Sequence, residues 1–92
     1  MERTISLLGS TGSIGRQSLD VIAACGMQVA ALTANRDVER MEEQCRRFRP
    51  ALAVMMDGGA ADDLRVRLAD TGIRVASGPA GLLEAATLEA VD

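Results

Sequence analysis

Apolar positions along the chain fall into short, nearly continuous runs separated by longer segments in which they recur every three or four residues. The runs at residues 4–8, 27–34, 51–56 and 73–76 read as strands. Between the first two, Ile14, Ser18, Val21, Ile22 and Cys25 recur at helical spacing until Gly26 stops the helix. Asp37 is placed to cap a second helix, with Val38, Met41, Cys45 and Phe48 on one face and Arg49-Pro50 closing it. After Asp57-Gly58-Gly59 a weaker helix has Leu64 and Leu68 on one face and ends at the Thr71-Gly72 turn. Pro79 suits the first turn of a last helix carrying Leu82, Leu83 and Ala86.

Strands that are apolar throughout, alternating with amphipathic helices, predict a parallel sheet covered on both faces with right-handed crossovers. The expected fold is therefore α/β: a Rossmann-like doubly wound parallel sheet, truncated after four strand-helix units. The strand order expected for it is 3-2-1-4, with an unpaired edge on the fourth strand. The pattern completes a helix at "LEAVD" where a fifth strand is due, so residues 1–92 read as the incomplete N-terminal domain of a longer protein.

The first strand runs into Gly9-Ser10-Thr11-Gly12-Ser13-Ile14-Gly15, three glycines spaced three apart. They are either a hinge between strand and helix or a loop that lets a phosphate approach the backbone. A helix N-terminus at the carboxyl end of a parallel strand offers unpaired N–H groups and a positive dipole end, which hold a diphosphate without a basic side chain. With a strand before it and a helix after it, the segment reads as a dinucleotide loop, to which Ser10, Thr11 and Ser13 add hydroxyl donors. About 20 residues beyond such a loop, an NAD-dependent protein places an acid on the ribose 2′-hydroxyl. Here the second strand ends in Ala34-Asn35-Arg36-Asp37. The planar cation of Arg36 suits the 2′-phosphate of NADP, while Asp37 is open to two roles, ribose acceptor or helix N-cap.

Composition narrows the ligand class. The chain has 92 residues, 48% hydrophobic and 25% charged, and a net charge of −3; all ten basic residues are Arg and most alternate with acids. No basic stripe addresses nucleic acid or an anionic membrane, and Phe48, the only aromatic residue, gives no platform for stacked bases. Apolar runs are too short to span a bilayer and Met1-Glu2-Arg3 leads straight into a strand, so the cytoplasm is the default location. There is no His, and Cys25 and Cys45 stand twenty apart, which sets zinc aside; both are expected on buried helix faces.

Taken together, "LLGSTGSIGRQSLDVI", "ALTANRDVERMEEQCRRFRPALAVMMD" and the closing "LEAVD" resemble the N-terminal segment of the 1-deoxy-D-xylulose 5-phosphate reductoisomerase family over essentially the whole chain. That family commonly has Asn where this chain has Asp37. The resemblance implies an NADPH-dependent enzyme of non-mevalonate isoprenoid biosynthesis, typically a homodimer. With Mg²⁺, Mn²⁺ or Co²⁺ it rearranges and reduces 1-deoxy-D-xylulose 5-phosphate to 2-C-methyl-D-erythritol 4-phosphate. By the family pattern Thr11, Gly12, Ser13 and Ile14 line the diphosphate, with Gly9, Ser10 and Gly15 in the same loop, and Ala34, Asn35 and Arg36 face the adenosine ribose and its 2′-phosphate. Catalytic residues, metal ligands and the sugar-phosphate site are expected beyond residue 92, which would leave residues 1–92 inactive alone. Asp57, Asp62 and Asp63 are expected to be caps or solvated groups. Two other classes share the glycine spacing: NADP-linked oxidoreductases of the semialdehyde dehydrogenase or dihydrodipicolinate reductase type, and nucleotide-sensing modules without chemistry.

Overall fold

A computed structural model describes residues 4–9 and 11–91. Strands and helices alternate as β1 (Thr4–Leu8), α1 (Ser13–Cys25), β2 (Gln28–Ala34), α2 (Val38–Phe48), β3 (Leu52–Met55), α3 (Gly58–Arg67), β4 (Arg74–Ser77) and α4 (Gly78–Val91). All neighbouring strands are parallel. The alternation and the Rossmann-like α/β class are those expected, with element ends within a residue or two except at α3, which stops at Arg67, short of the expected Thr71-Gly72 turn.

The strand order differs. It is β1-β2-β3-β4, so β4 lies beside β3, not beside β1 as the order 3-2-1-4 requires. The reason is the face taken by α3. Leu19 and Ile22 of α1, Met41 and Cys45 of α2, and Ala60, Ala61 and Leu64 of α3 all join one core cluster with Ala53 and Met55 of β3. A right-handed crossover over the same face moves the chain in the same direction each time. Only α4 uses the other face, where Ala85 packs with Ala31, Leu52 and Val54. It lies against β1, β2, β3 and β4, so the direction reverses after β4 and not before it.

α3 is held on its face by charge as well as by packing. Arg46 of α2 donates from Nη1 and Nη2 to the two carboxylate oxygens of Asp70 at 3.1 and 3.0 Å, and from Nη2 to the Arg67 carbonyl at 2.9 Å. Glu42 lies between Arg67 and Arg46, at 3.2 and 3.1 Å, and their guanidinium groups hold its carboxyl below the usual range. Bidentate and networked geometry distinguishes this cluster from isolated surface pairs, which contribute little.

A register shift modifies β2. Ile5 pairs with Val29 but Ser6 pairs with Ala31, leaving Ala30 as an extra residue. Strict alternation would put Val29 and Leu32 on opposite faces; the bulge puts both in the cluster beneath α1–α3.

Helix faces were only partly as expected. In α2, Met41 and Cys45 are fully buried with Val38 and Phe48 packed at the margin, and Leu64 of α3 and Leu68 at its C-cap are buried. In α1 the buried residues are Gly15, Leu19 and Ile22, whereas Ile14 and Val21 are 78% and 61% exposed and Cys25 is exposed. In α4 Ala85 and Gly81 are buried, Ala86 is exposed and Leu83 is 70% exposed. The two cysteines thus differ: burial, with a smaller contribution from the Glu42 charge, pushes the Cys45 thiol up to about 12. At pH 8 a thiol-specific disulfide reagent is expected to modify Cys25 and spare Cys45 until the protein is unfolded. The unfolded chain releases the Cys45 proton from about pH 9 upward, while the fold retains it. Stability from this group is therefore full below pH 9 and falls as pH rises toward 12. Equal reaction of both thiols in the native protein would contradict this assignment.

Candidate functional site

The carboxyl ends of β1 and β2 and the N-terminus of α1 meet at one edge of the sheet. Gly9 follows β1 with φ of +74°, a conformation that suits glycine and turns the chain away from the strand. Its N–H donates to the Thr33 hydroxyl at 3.0 Å, which latches the start of the loop to β2. Thr33 is buried and pairs with Leu8 in the strand register. A lone hydroxyl residue near the end of the apolar run "VAALTA" was its only signal in the sequence.

Gly12 is the N-cap of α1, with φ −73° and ψ 169°, and its carbonyl accepts the first helical bond, from Arg16 N–H at 2.9 Å. Gly12 itself has no side chain with which to cap this end. The N–H groups of Ser13, Ile14 and Gly15 lie in the first helical turn, where no intrahelical acceptor exists. By contrast Asp37 caps α2 by accepting from Arg40 N–H, and Asp57 caps α3 by accepting from Ala60 N–H. Among the described residues a Cβ on Gly12 meets only the Gly9 carbonyl oxygen, at 3.7 Å, so neither their packing nor φ requires glycine there. What its hydrogen leaves open is solvent space above the helix end. Gly12, Ser13 and Ile14 are exposed, Thr11 is half-buried and Gly15 is buried inside the helix contact; Ser10 falls outside the described residues.

At the end of β2 the predicted residues separate. Ala34 is a core residue at 3% exposure, and its carbonyl accepts from Met56 N–H. Asn35 is exposed while its carbonyl accepts from Asp57 N–H, which fixes the turn. Arg36 is exposed and, among the described residues, no carboxylate is paired with it. Asp37 is an N-cap, as one of its two expected roles required: Oδ1 accepts from Arg40 N–H at 3.2 Å and Oδ2 from Arg40 Nε–H at 3.3 Å. Asp57, Asp62 and Asp63 behave as expected, the first as a cap and the others paired with Arg65 and Arg67.

A separate concavity of about 290 Å³ lies between α1 and α2, with Arg16, Arg40, Arg47 and Phe48 among its walls. It opens over the outer helix surface and does not include the glycine loop. Among the described residues no three metal-ligating side chains converge, and no helix is long and apolar enough to cross a membrane.

A parallel α/β sheet with a glycine turn leading from β1 into α1 defines a Rossmann-like segment. The family model of 1-deoxy-D-xylulose 5-phosphate reductoisomerase matches residues 5–92. The chain is 50% identical over 94 aligned positions to the reductoisomerase of Moorella thermoacetica, covering 100% of this chain and 24% of that protein. It is 47% identical to that of Caulobacter vibrioides, covering 96% and 23%. Among solved structures, the Zymomonas mobilis reductoisomerase in complex with NADPH superposes with a TM-score of 0.87 at 40% identity, over 94% of this chain and 23% of that one. A reductoisomerase complex with NADPH, fosmidomycin and magnesium gives 0.89 at 29% identity, over 98% and 23%. This chain belongs to the 1-deoxy-D-xylulose 5-phosphate reductoisomerase family, and it spans about a quarter of the length of the relatives it matches.

Proposed function

We propose that residues 1–92 form the NADPH-binding portion of a reductoisomerase that converts 1-deoxy-D-xylulose 5-phosphate to 2-C-methyl-D-erythritol 4-phosphate in non-mevalonate isoprenoid biosynthesis. The observation that carries this reading is the open space at Gly12 above the N-terminal end of α1, with Arg36 at the neighbouring strand end. The backbone N–H groups of Ser13, Ile14 and Gly15 and the hydroxyls of Thr11 and Ser13 would hold the diphosphate; Ser10 and Gly9 belong to the same loop. Thr33 keeps the loop in place through Gly9. Arg36 and the Asn35 turn would receive the adenosine ribose and its 2′-phosphate, with Ala34 contributing through the backbone position it fixes. Bound NADPH supplies the hydride; this segment binds and orients it.

The metal ligands, the sugar-phosphate site and the catalytic residues belong, on this reading, to the three-quarters of the relatives' length that this chain does not cover. The assembled protein is proposed to be a cytoplasmic homodimer using Mg²⁺, Mn²⁺ or Co²⁺, without a nucleic-acid or membrane partner.

The test is cofactor discrimination in a polypeptide of the relatives' length that carries this segment. Arg36→Ala is expected to weaken NADPH by about 10- to 150-fold, the value of one charge-assisted hydrogen bond of about 1.5 to 3 kcal/mol, and to leave NADH nearly unchanged. Fluorescence titration with both cofactors reads this directly. An equal loss for both would remove Arg36 from the 2′-phosphate.

A further inference from the structure

The acid at Asp37 stands in an awkward place for a protein that takes a 2′-phosphate. It follows Arg36 directly at the end of β2, where an unengaged carboxylate accepts from the ribose hydroxyls of NAD and repels the phosphate dianion of NADP. Here each carboxylate oxygen accepts one hydrogen bond, and the side chain is 48% exposed. Oδ1 takes the Arg40 backbone N–H at 3.2 Å, a cap bond that any residue but proline supplies there, and Oδ2 takes the Arg40 side-chain Nε–H at 3.3 Å. The side chain is turned onto the positive end of α2, and the guanidinium offsets its charge. Glu39 is the other acid in that turn and is exposed, with no ion pair to Arg40; Arg16 and Arg47 are the other cations along the same α1–α2 groove.

We infer that Arg40 is a specificity-determining residue for the cofactor, acting through Asp37: its guanidinium pairs with the capping carboxylate and so keeps the end of β2 selective for the 2′-phosphate. This rests on the NADPH reading above. It assigns Arg40 no contact with the cofactor, and that separates it from Arg36. Asp37→Asn keeps a good N-cap and removes the charge, so it converts the idea into a double-mutant cycle.

The experiment uses a polypeptide of the relatives' length and measures Kd for NADPH and NADH in four proteins: wild type, Arg40→Ala, Asp37→Asn and the double variant. Arg40→Ala is expected to lower the NADPH-over-NADH preference by about tenfold, mostly through NADPH, with NADH unchanged or tighter. In the Asp37→Asn background the same substitution is expected to change the preference less than about twofold. Arg40→Lys, which retains the charge, is expected to keep most of the preference. A merely structural role would weaken both cofactors alike and lower the melting temperature without altering the ratio. An equal loss of preference in both backgrounds, or none in either, overturns the inference. If wild type binds neither cofactor, the NADPH reading itself fails; wild-type NADPH binding with an unaltered ratio in Arg40→Ala fails this inference alone.

Discussion

Gly12→Val abolishes NADPH binding at accessible concentrations and leaves the fold intact: that is the expected result of placing two methyl groups above the end of α1. The backbone at Gly12 has φ −73° and ψ 169°, a region open to valine, and among the described residues its first added carbon meets nothing closer than the Gly9 carbonyl oxygen at 3.7 Å. Folding therefore gives little reason for glycine at this position. A diphosphate approaching the first-turn N–H groups would meet the branched side chain first. Losing two or more charge-assisted hydrogen bonds of about 1.5 to 3 kcal/mol each corresponds to at least a hundredfold, roughly, in affinity. Circular dichroism and thermal melting should match wild type while titration shows no saturation. Early melting, with normal binding by the fraction that remains folded, would return the loop to a packing role.

The opposite outcome is expected at Gly81. This glycine lies in α4 against the sheet, and a Cβ there would sit 2.9 Å from Val54 Cγ1 and 3.1 Å from the Ala76 Cβ. Val54 is completely buried and Ala76 packs on the same small cluster, so neither side has room to withdraw. Gly81→Ala gains about 1 kcal/mol of helix propensity, which offsets part of the clash. Gly81→Val gains less and adds two further carbons to a filled space. We expect Gly81→Val to lower stability by about 3 kcal/mol, the upper end for overpacking a core, out of about 5 to 15 available to a domain. Urea unfolding of the protein at full family length measures this; a loss under about 1 kcal/mol would show that α4 can lift from the sheet. Two glycines in one chain thus separate by what a methyl would strike: open space at Gly12, protein at Gly81.

Much of this was legible in the residues. The strand and helix alternation follows from apolar runs and periodic stripes, and the α2 face was readable because Val38, Met41, Cys45 and Phe48 form its single apolar stripe. In α1 two stripes compete. Ile14, Val21 and Cys25 are the more apolar, yet the helix buries Gly15, Leu19 and Ile22, the first of which carries no hydropathy signal. α4 repeats the case: Gly81 and Ala85 go inward and Leu83 stays out. The strand order was not legible, since it depends on which face α3 chooses and its apolar stripe fits either one. The glycine loop was legible as a pattern. The Thr33 latch and the Arg40 Nε–H bond to Asp37 were not, because the geometry of each exists only after folding.

The extra residue in β2 bears on how the strand's sequence is to be aligned with others. Ala30 acts as a phase change: before it odd-numbered residues face α1–α3, and after it even-numbered ones do. Thr33 reaches Gly9 from the phase that follows the change. A relative lacking the bulge would have to carry its hydroxyl one place along the written sequence to hold the same loop. Position-by-position comparison would score that as a lost threonine and a gained one, where in space a single latch had been kept.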